Sequence, residues 1–143
     1  MWYSSVLTWD AGNGELLAPI HHAFSDDGHH WHRTGLSVPY ALGKAQAFSR
    51  PTVVRSQEGF FEMWFSYRSG SEGRYRIGYA SSDNGLSWKL DLEKAGITVS
   101  DSGWDSEMIE YPFVFDHGND RYMLYNGNGY GRTGFGLAVL ERT

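Results

Sequence analysis

An internal repeat is the feature that most constrains the fold of this chain. The pattern Ala-x-Ser-Asp-x-Gly-x-x-Trp occurs at residues 23–31 and again 57 residues further on, at residues 80–88. Other matched segments, at offsets between 57 and 62 residues, start at Met1, Met63 and Met123 and at Pro51 and Pro112. Short alternating segments with this period are typical of propeller blades, each of which buries its faces against its neighbours. The repeat predicts an all-β partial β-propeller.

The repeat divides one domain, residues 1–143, into three units. Residues 49–100 contain a complete four-stranded antiparallel blade, residues 1–34 a partial blade without its first strand, and residues 107–143 a partial blade that stops before its fourth. We therefore expect about two and a half blades. Because unpaired strand edges at both ends invite pairing with another copy, we expect a homodimer that completes the ring.

The strands of the complete unit follow from its alternating apolar residues and its turn residues. The first three strands and the start of the fourth are expected at Arg50 to Val54, Phe60 to Tyr67, Tyr75 to Ala80 and near Trp88. A short helical turn over Leu90 to Ala95 and a returning strand over Ile97 to Val99 should follow.

Composition and charge limit the partners. The net charge of −5 and the pI near 5.6 provide no basic patch for nucleic acid or for an anionic membrane, so neither partner is expected. No apolar stretch approaches the length of a membrane span, and the amino terminus has no basic region followed by an apolar run, so we expect no signal peptide. With no cysteine there is no disulfide framework, which fits a reducing compartment. A cytoplasmic location is expected.

The second copy of the repeated turn, Ser81-x-Asp83-x-Gly85-x-x-Trp88, resembles the Asp-box of sialidase-type propellers. In that pattern the Asp caps the turn, the Gly adopts an unusual φ and the Trp packs on the hairpin. The first copy has Phe24 at the position of the Ser. Because Asp boxes lie on the face opposite the pocket, we assign Asp26 and Asp83 no chemistry.

Polar and aromatic residues gather on the other face, which is built from the segments that lead into the first strands and from the loops between second and third strands. They are Ser49, Arg50, Tyr67, Arg68, Glu107, Glu110, Tyr111, Asn126, Asn128, Tyr130 and Arg132. This mixture can bind sugar hydroxyls and stack on sugar rings, and Trp104 is a candidate stacking platform. For Asn126 and Asn128, an ordinary role as turn residues stays open.

Several of these motifs resemble a known family. Residues 104–108, 111–112 and 125–138 are similar to the closing half of bacterial proteins related to the five-bladed propeller glycoside hydrolases, the arabinanase/xylosidase and invertase/levanase group. Ser49-Arg50-Pro51 and residues 75–80 fit the same pattern. The resemblance covers nearly the whole chain but only part of the family's fold. It implies the C-terminal half of a five-bladed propeller.

The resemblance also implies a set of three acids, one from each of several blades. Glycoside hydrolysis needs paired carboxylates that flank the glycosidic oxygen. Here Arg50 precedes Pro51 where the family has Asp, and only Glu107 or Glu110 can match the proton-donating Glu. The resemblance therefore implies a carbohydrate-binding protein without a complete catalytic set. An active glycosidase with a composite site in a dimer, and a non-catalytic scaffold or interaction protein, remain alternatives.

Five histidines cluster in the first unit: His21, His22, His29, His30 and His32. Neighbouring strand residues point to opposite faces, and two of the five lie in the repeated turn, so three do not share a tetrahedral centre. We expect no metal site and no cofactor. His22 is expected to line the axis.

Overall fold

The computed structural model describes residues 1–69 and 73–141, which form three antiparallel sheets. The first sheet contains β1 (Trp2–Ser4), β2 (Ile20–Phe24) and β3 (His32–Leu36). The second contains β4 (Ala47–Arg55), β5 (Phe61–Arg68), β6 (Arg76–Ser82) and β7 (Lys89–Leu90). The third contains β8 (Glu110–His117), β9 (Asp120–Asn126) and β10 (Phe135–Val139). The all-β class is confirmed.

Within the described residues, helix is limited to a 3₁₀ helix at Leu92–Ala95 and a four-residue segment, α1, at Asn128–Gly131, in which Gly129 and Tyr130 are left-handed. The 3₁₀ helix confirms the short helical turn expected after the fourth strand. Within the described residues no helix has the length and apolar character needed to cross a bilayer.

The strand order in every sheet follows the chain, as expected of propeller blades. In the described residues the second sheet has four strands, and the first and third have three each. Residues 97–99 are not a strand, contrary to expectation, because Ile97 and Val99 are fixed by apolar packing between sheets rather than by a ladder. The unit boundaries stay predictions, and residues 70–72 and 142–143 within them lie outside the described residues.

Two apolar clusters hold the three sheets together. The first cluster lies between the first and second sheets and includes Ile20, Val38, Phe48, Met63, Phe65, Ala80 and Trp88. The second lies between the second and third sheets and includes Trp64, Ile77, Tyr79, Ile109, Val114 and Met123. Alternation along β5 explains the division, since Met63 and Phe65 point to one side and Trp64 to the other.

The repeated turn of the second sheet is held by two polar side chains. The Ser82 hydroxyl accepts the N–H groups of Asn84 and Gly85, and Asn84 Oδ1 accepts those of the next two residues. The prediction that Asp83 caps this turn is wrong. The motif lies one residue later, because only Ser82 and Asn84 stand two and three positions before the amides they bind.

The first sheet repeats this arrangement with its own residues. Ser25 accepts the N–H groups of Asp27 and Gly28, and Asp27 Oδ1 accepts those of the two following histidines. Phe24 therefore does not occupy the Ser position, and both copies carry a complete Ser-x-Asp/Asn-Gly-x-x-Trp turn.

Candidate functional site

The inner strands of the second and third sheets carry matching β-bulges. One interrupts β4 at residues 49–52, and the other interrupts β8 at residues 110–113. A proline stands at the third position of each bulge, where its missing N–H disturbs no ladder bond. The residues before these prolines, Arg50 and Tyr111, have φ of 48° and 56°. The bulges therefore turn two predicted site residues out of the regular strand.

Backbone strain is confined to this region. Among the described residues other than glycine, positive φ values occur at Arg50, Tyr111 and Tyr130, the last with φ of 63°. Each such conformation costs about 1–3 kcal/mol and tends to occur at functional sites. The three residues are close together, since the Arg50 guanidinium lies 4.1 Å from the Tyr111 ring centroid and the Tyr111 and Tyr130 centroids are 6.4 Å apart.

Tyr75 completes an aromatic cluster with these residues. Its ring centroid lies 6.1 Å from that of Tyr111 and 6.2 Å from that of Tyr130. The Arg68 guanidinium stands 5.0 Å from the centroid of Tyr75, and Arg68 Nε lies 3.0 Å from a Glu15 carboxylate oxygen. We call the group Arg50, Arg68, Tyr75, Tyr111 and Tyr130 the tyrosine rim.

Glu110 is the buried acid of the region. Its side chain is 0 % exposed, and neither carboxyl oxygen has a hydrogen-bond partner within the described residues. Burial raises the pKa of Glu110 to about 7, and the positive charge of Arg50 partly opposes this rise. The carboxyl group therefore stays protonated to a higher pH than that of an exposed glutamate. A buried acid with two open acceptor positions is a candidate functional group.

The structure separates Glu110 from Glu107, which the sequence left as alternatives. Glu107 is exposed and its backbone is tied to neighbouring segments. Its N–H donates to Asn128 Oδ1 at 2.8 Å, and its carbonyl accepts from Arg76 at 2.9 Å. Of the two acids, Glu110 is the one next to Arg50 and Tyr111.

Asn128 holds the loop that leads into β8. Asn128 Oδ1 accepts the N–H groups of Glu107 and Met108, and its Nδ2 donates to the Gly103 carbonyl. The amide of Asn128 is thus used within the protein, in agreement with the turn role left open above.

The Trp104 ring packs inside the third sheet. It stacks on Tyr125 with centroids 5.5 Å apart. A Cβ added at Gly127 or Gly136 would lie 2.4 Å or 2.6 Å from it, so only glycine fits at these two positions. Trp104 is therefore a half-buried residue that packs against the third sheet.

The remaining predicted residues lie outside the tyrosine rim. Tyr67 faces away from Arg68 along β5 and packs against the first apolar cluster, where burial raises its pKa. Asn126 pairs with Glu110 across β8 and β9 and lies next to Gly131. Arg132 is exposed beside Gly129.

The sequence interpretation missed three contributors. Ser66 is fully buried, and its hydroxyl accepts the Tyr111 N–H at 2.7 Å, which fixes the bulge. A serine inside an apolar strand was the available signal. Tyr75 was assigned only to a strand, and Glu15 stands outside the repeat, where no pattern marks it.

The first sheet contains no axial histidine at position 22. His22 lies on β2. Its ring centroid is 5.6 Å from that of Trp2 on β1, and its Nδ1 is 2.8 Å from Thr34 Oγ1 on β3. The expectation that it lines the axis is wrong because β2 lies in the middle of its sheet, flanked by β1 and β3. Among residues 1–69 and 73–141, no three His, Asp or Glu side chains are grouped to hold a metal ion.

Comparison with known proteins supports the fold. No family profile matches the chain. Two uncharacterized proteins of Mycobacterium tuberculosis strains are 48% identical over 142 residues, which cover 99% of this chain and 46% of each relative. The chain thus spans about half the length of these curated relatives.

Solved structures of the GH32 β-fructofuranosidase BmSUC1 of Bombyx mori, one of them a mutant in complex with sucrose, superimpose with a TM-score of 0.60. They are 15% and 16% identical, and the match covers 96% of this chain and 30% of theirs. The chain has the fold of a partial glycoside-hydrolase-like propeller. The number of five blades and the C-terminal position stay predictions.

Proposed function

We propose that the tyrosine rim binds carbohydrate and that this chain by itself lacks a complete catalytic carboxylate set. Glu110 carries the proposal, because a fully buried carboxyl group with both oxygens unpaired among the described residues offers two acceptor positions to a ligand. Leaving such a group unpaired is costly, and a bound hydroxyl would relieve that cost.

The chemistry of the rim suits a sugar. Tyrosine rings offer apolar faces to the C–H groups of a sugar ring and hydroxyls to its edge. Arg50 adds hydrogen-bond donors, and its position over Tyr111 orients the guanidinium. The fold neighbour from Bombyx mori is described in complex with sucrose, so a small saccharide is the substrate class we favour.

A second free acid is missing from the described rim. Glycosidic cleavage needs one protonated and one ionised carboxyl group on either side of the bond. Arg50 and Tyr111 occupy the positions before the two bulge prolines, and Glu15 is already paired with Arg68 at 3.0 Å. This arrangement favours binding over cleavage within one chain.

An active glycosidase with a composite site is the second candidate. The pKa of about 7 suits Glu110 to general acid catalysis near neutral pH. A second copy would then have to supply the ionised carboxylate, as in the homodimer expected from the repeat. A non-catalytic scaffold remains the outcome if no sugar binds.

Calorimetry and saturation-transfer NMR with sucrose, fructose, and arabinose- and xylose-based oligosaccharides would test the proposal. We expect saturable binding that Glu110→Gln weakens at least tenfold and Glu107→Gln changes less than twofold. Equal effects of the two variants, or no binding of any sugar, would contradict it. Turnover by wild type that Glu110→Gln abolishes while binding persists would favour the composite enzyme.

A further inference from the structure

A cavity of about 390 Å³ lies between the second and third sheets, away from the tyrosine rim. It is lined by Trp64, Arg121, Met123 and Ala138, together with residues 95–97 and 139–141. Trp64 and Met123 are buried, and Ala138 packs against the second apolar cluster. The cavity therefore lies within the packed interface between the two sheets. We call it the indole slot.

The interface between the first and second sheets contains the same set of positions. The offset of the repeat relates Trp2 to Trp64, Phe61 to Arg121, Met63 to Met123 and Ala80 to Ala138. In that first interface, Met63 and Ala80 belong to the cluster that contains Trp88, and Trp2 and Phe61 pack against it. The indole slot corresponds to the place that Trp88 fills.

Trp88 shows how this place is occupied. It is 6 % exposed, its ring meets Trp2 edge-on with centroids 5.8 Å apart, and its Nε1 donates to the Gly85 carbonyl at 3.0 Å. Trp2 Nε1 donates to the same carbonyl at 2.9 Å. In the second interface, Trp64 instead donates to the Ala95 carbonyl at 3.1 Å.

The described residues also leave the strand edge beside the indole slot unpaired. In the second sheet β7 pairs with β6 directly after Trp88, with Ala80 opposite Leu90. In the third sheet β10 is the outer strand, and the described residues place no further strand on it. Along β10, Ala138 lines the indole slot, whereas the neighbouring Leu137 is exposed and does not line it.

We propose that this edge and the indole slot bind one β-strand of a partner polypeptide, led by a Ser-x-Asn/Asp-Gly-x-x-Trp turn. The strand pairs with β10 and its indole enters the slot, which is β-strand addition with one aromatic anchor. Trp88 and β7 of this chain fill the equivalent place between the first and second sheets, so a strand of the same kind fits the indole slot. The proposal is independent of sugar binding.

A synthetic peptide with the sequence of residues 82–90 is the probe, added to the full chain. Its binding would be followed by fluorescence anisotropy of a dye on the peptide and by the NMR signal of the Trp64 indole N–H. We expect saturable binding, a shift of the Trp64 signal and at least tenfold weaker binding when the peptide carries Trp88→Ala. Equal affinity of the two peptides would overturn the proposal.

Protein variants give a second test. Ala138→Phe fills the indole slot and should weaken peptide binding at least tenfold, whereas Leu137→Ser on the opposite face of β10 should change it less than twofold. If Ala138→Phe does not fold, the NMR signal of the Trp64 indole N–H in the wild-type protein still tests the site. A signal that does not shift when the peptide is added refutes the proposal. A second copy of this chain is the alternative occupant. If the protein is a dimer and the peptide binds only after Trp31→Ser has dissociated it, the second copy fills the slot and the proposed partner strand is refuted.

Discussion

The repeated turn occurs in two surroundings, and the contrast shows what the turn sequence controls. In both copies the Trp indole donates to the Gly carbonyl three residues earlier, at 3.3 Å from Trp31 and at 3.0 Å from Trp88. Yet Trp31 is 44 % exposed and Trp88 is 6 % exposed. The local sequence sets the hydrogen bonds of the turn. The tryptophan of the turn is buried when a neighbouring sheet packs on it, as the first sheet packs on Trp88 through Trp2.

Removing the two indoles would sharpen this contrast most. Trp88→Ala should lower the free energy of unfolding by about 3–5 kcal/mol, since it leaves a large cavity in the first apolar cluster. Trp31→Ala, its matched control, should cost less than about 1 kcal/mol because the side chain is half exposed. Urea denaturation measures both. Equal losses would show that Trp31 is also buried in solution.

Glu110 and Glu107 extend the contrast to two acids. Because the folded-state pKa of Glu110 is raised to about 7 from an ordinary value of 4.5, its contribution to stability is fully present below pH 4.5 and is lost as the pH rises through 7. Glu110→Gln should flatten this fall and raise the free energy of unfolding at pH 8 by about 1–3 kcal/mol. Glu107→Gln should retain the wild-type slope across denaturation curves measured from pH 4.5 to pH 8.

The capping serines provide a smaller difference. Ser82→Ala leaves the buried Gly85 N–H without its acceptor and should cost roughly 1–2 kcal/mol of the free energy of unfolding. Ser25→Ala should cost about 0.5 kcal/mol because water can reach the exposed Gly28 N–H. Thermal melts of both variants test this, and a larger loss from Ser25→Ala would reverse the interpretation.

Making the first turn more like the second should have the smallest effect. Asp27 is exposed, and hydrogen bonds from His30 hold the pKa of its carboxyl below its ordinary value. That contribution to stability is present above the ordinary Asp pKa and is lost as the pH falls. Asp27→Asn, which copies Asn84, should leave the free energy of unfolding at pH 7 nearly unchanged and reduce its acid sensitivity. A large loss at pH 7 would show a role beyond the turn.

Local sequence patterns predicted the fold better than they predicted the site. Repeat offsets divided the chain into three units, and alternation, which acts within a few residues, predicted the strands of the complete unit. The position of the turn motif was one residue out, since Ser81 and Ser82 fit the pattern almost equally and only the hydrogen bonds distinguish them.

The site depends on contacts between distant segments. Arg50, Tyr111 and Tyr130 were predicted because they lie on segments that lead into first strands or on a loop between a second and a third strand. Glu15 was missed, as its ion pair with Arg68 joins residues 53 positions apart. The burial of Glu110 likewise follows from packing of whole sheets, which no short window of sequence contains.

The Gly85 carbonyl has a consequence for how the protein comes apart. It accepts both Trp2 and Trp88, so both of its lone pairs are used inside the protein. Release of the first sheet would leave a buried acceptor half satisfied and expose the ring of Trp88 to water. The first two sheets should therefore open together as one cooperative unit, with the indole protons of Trp2 and Trp88 exchanging with solvent at similar rates.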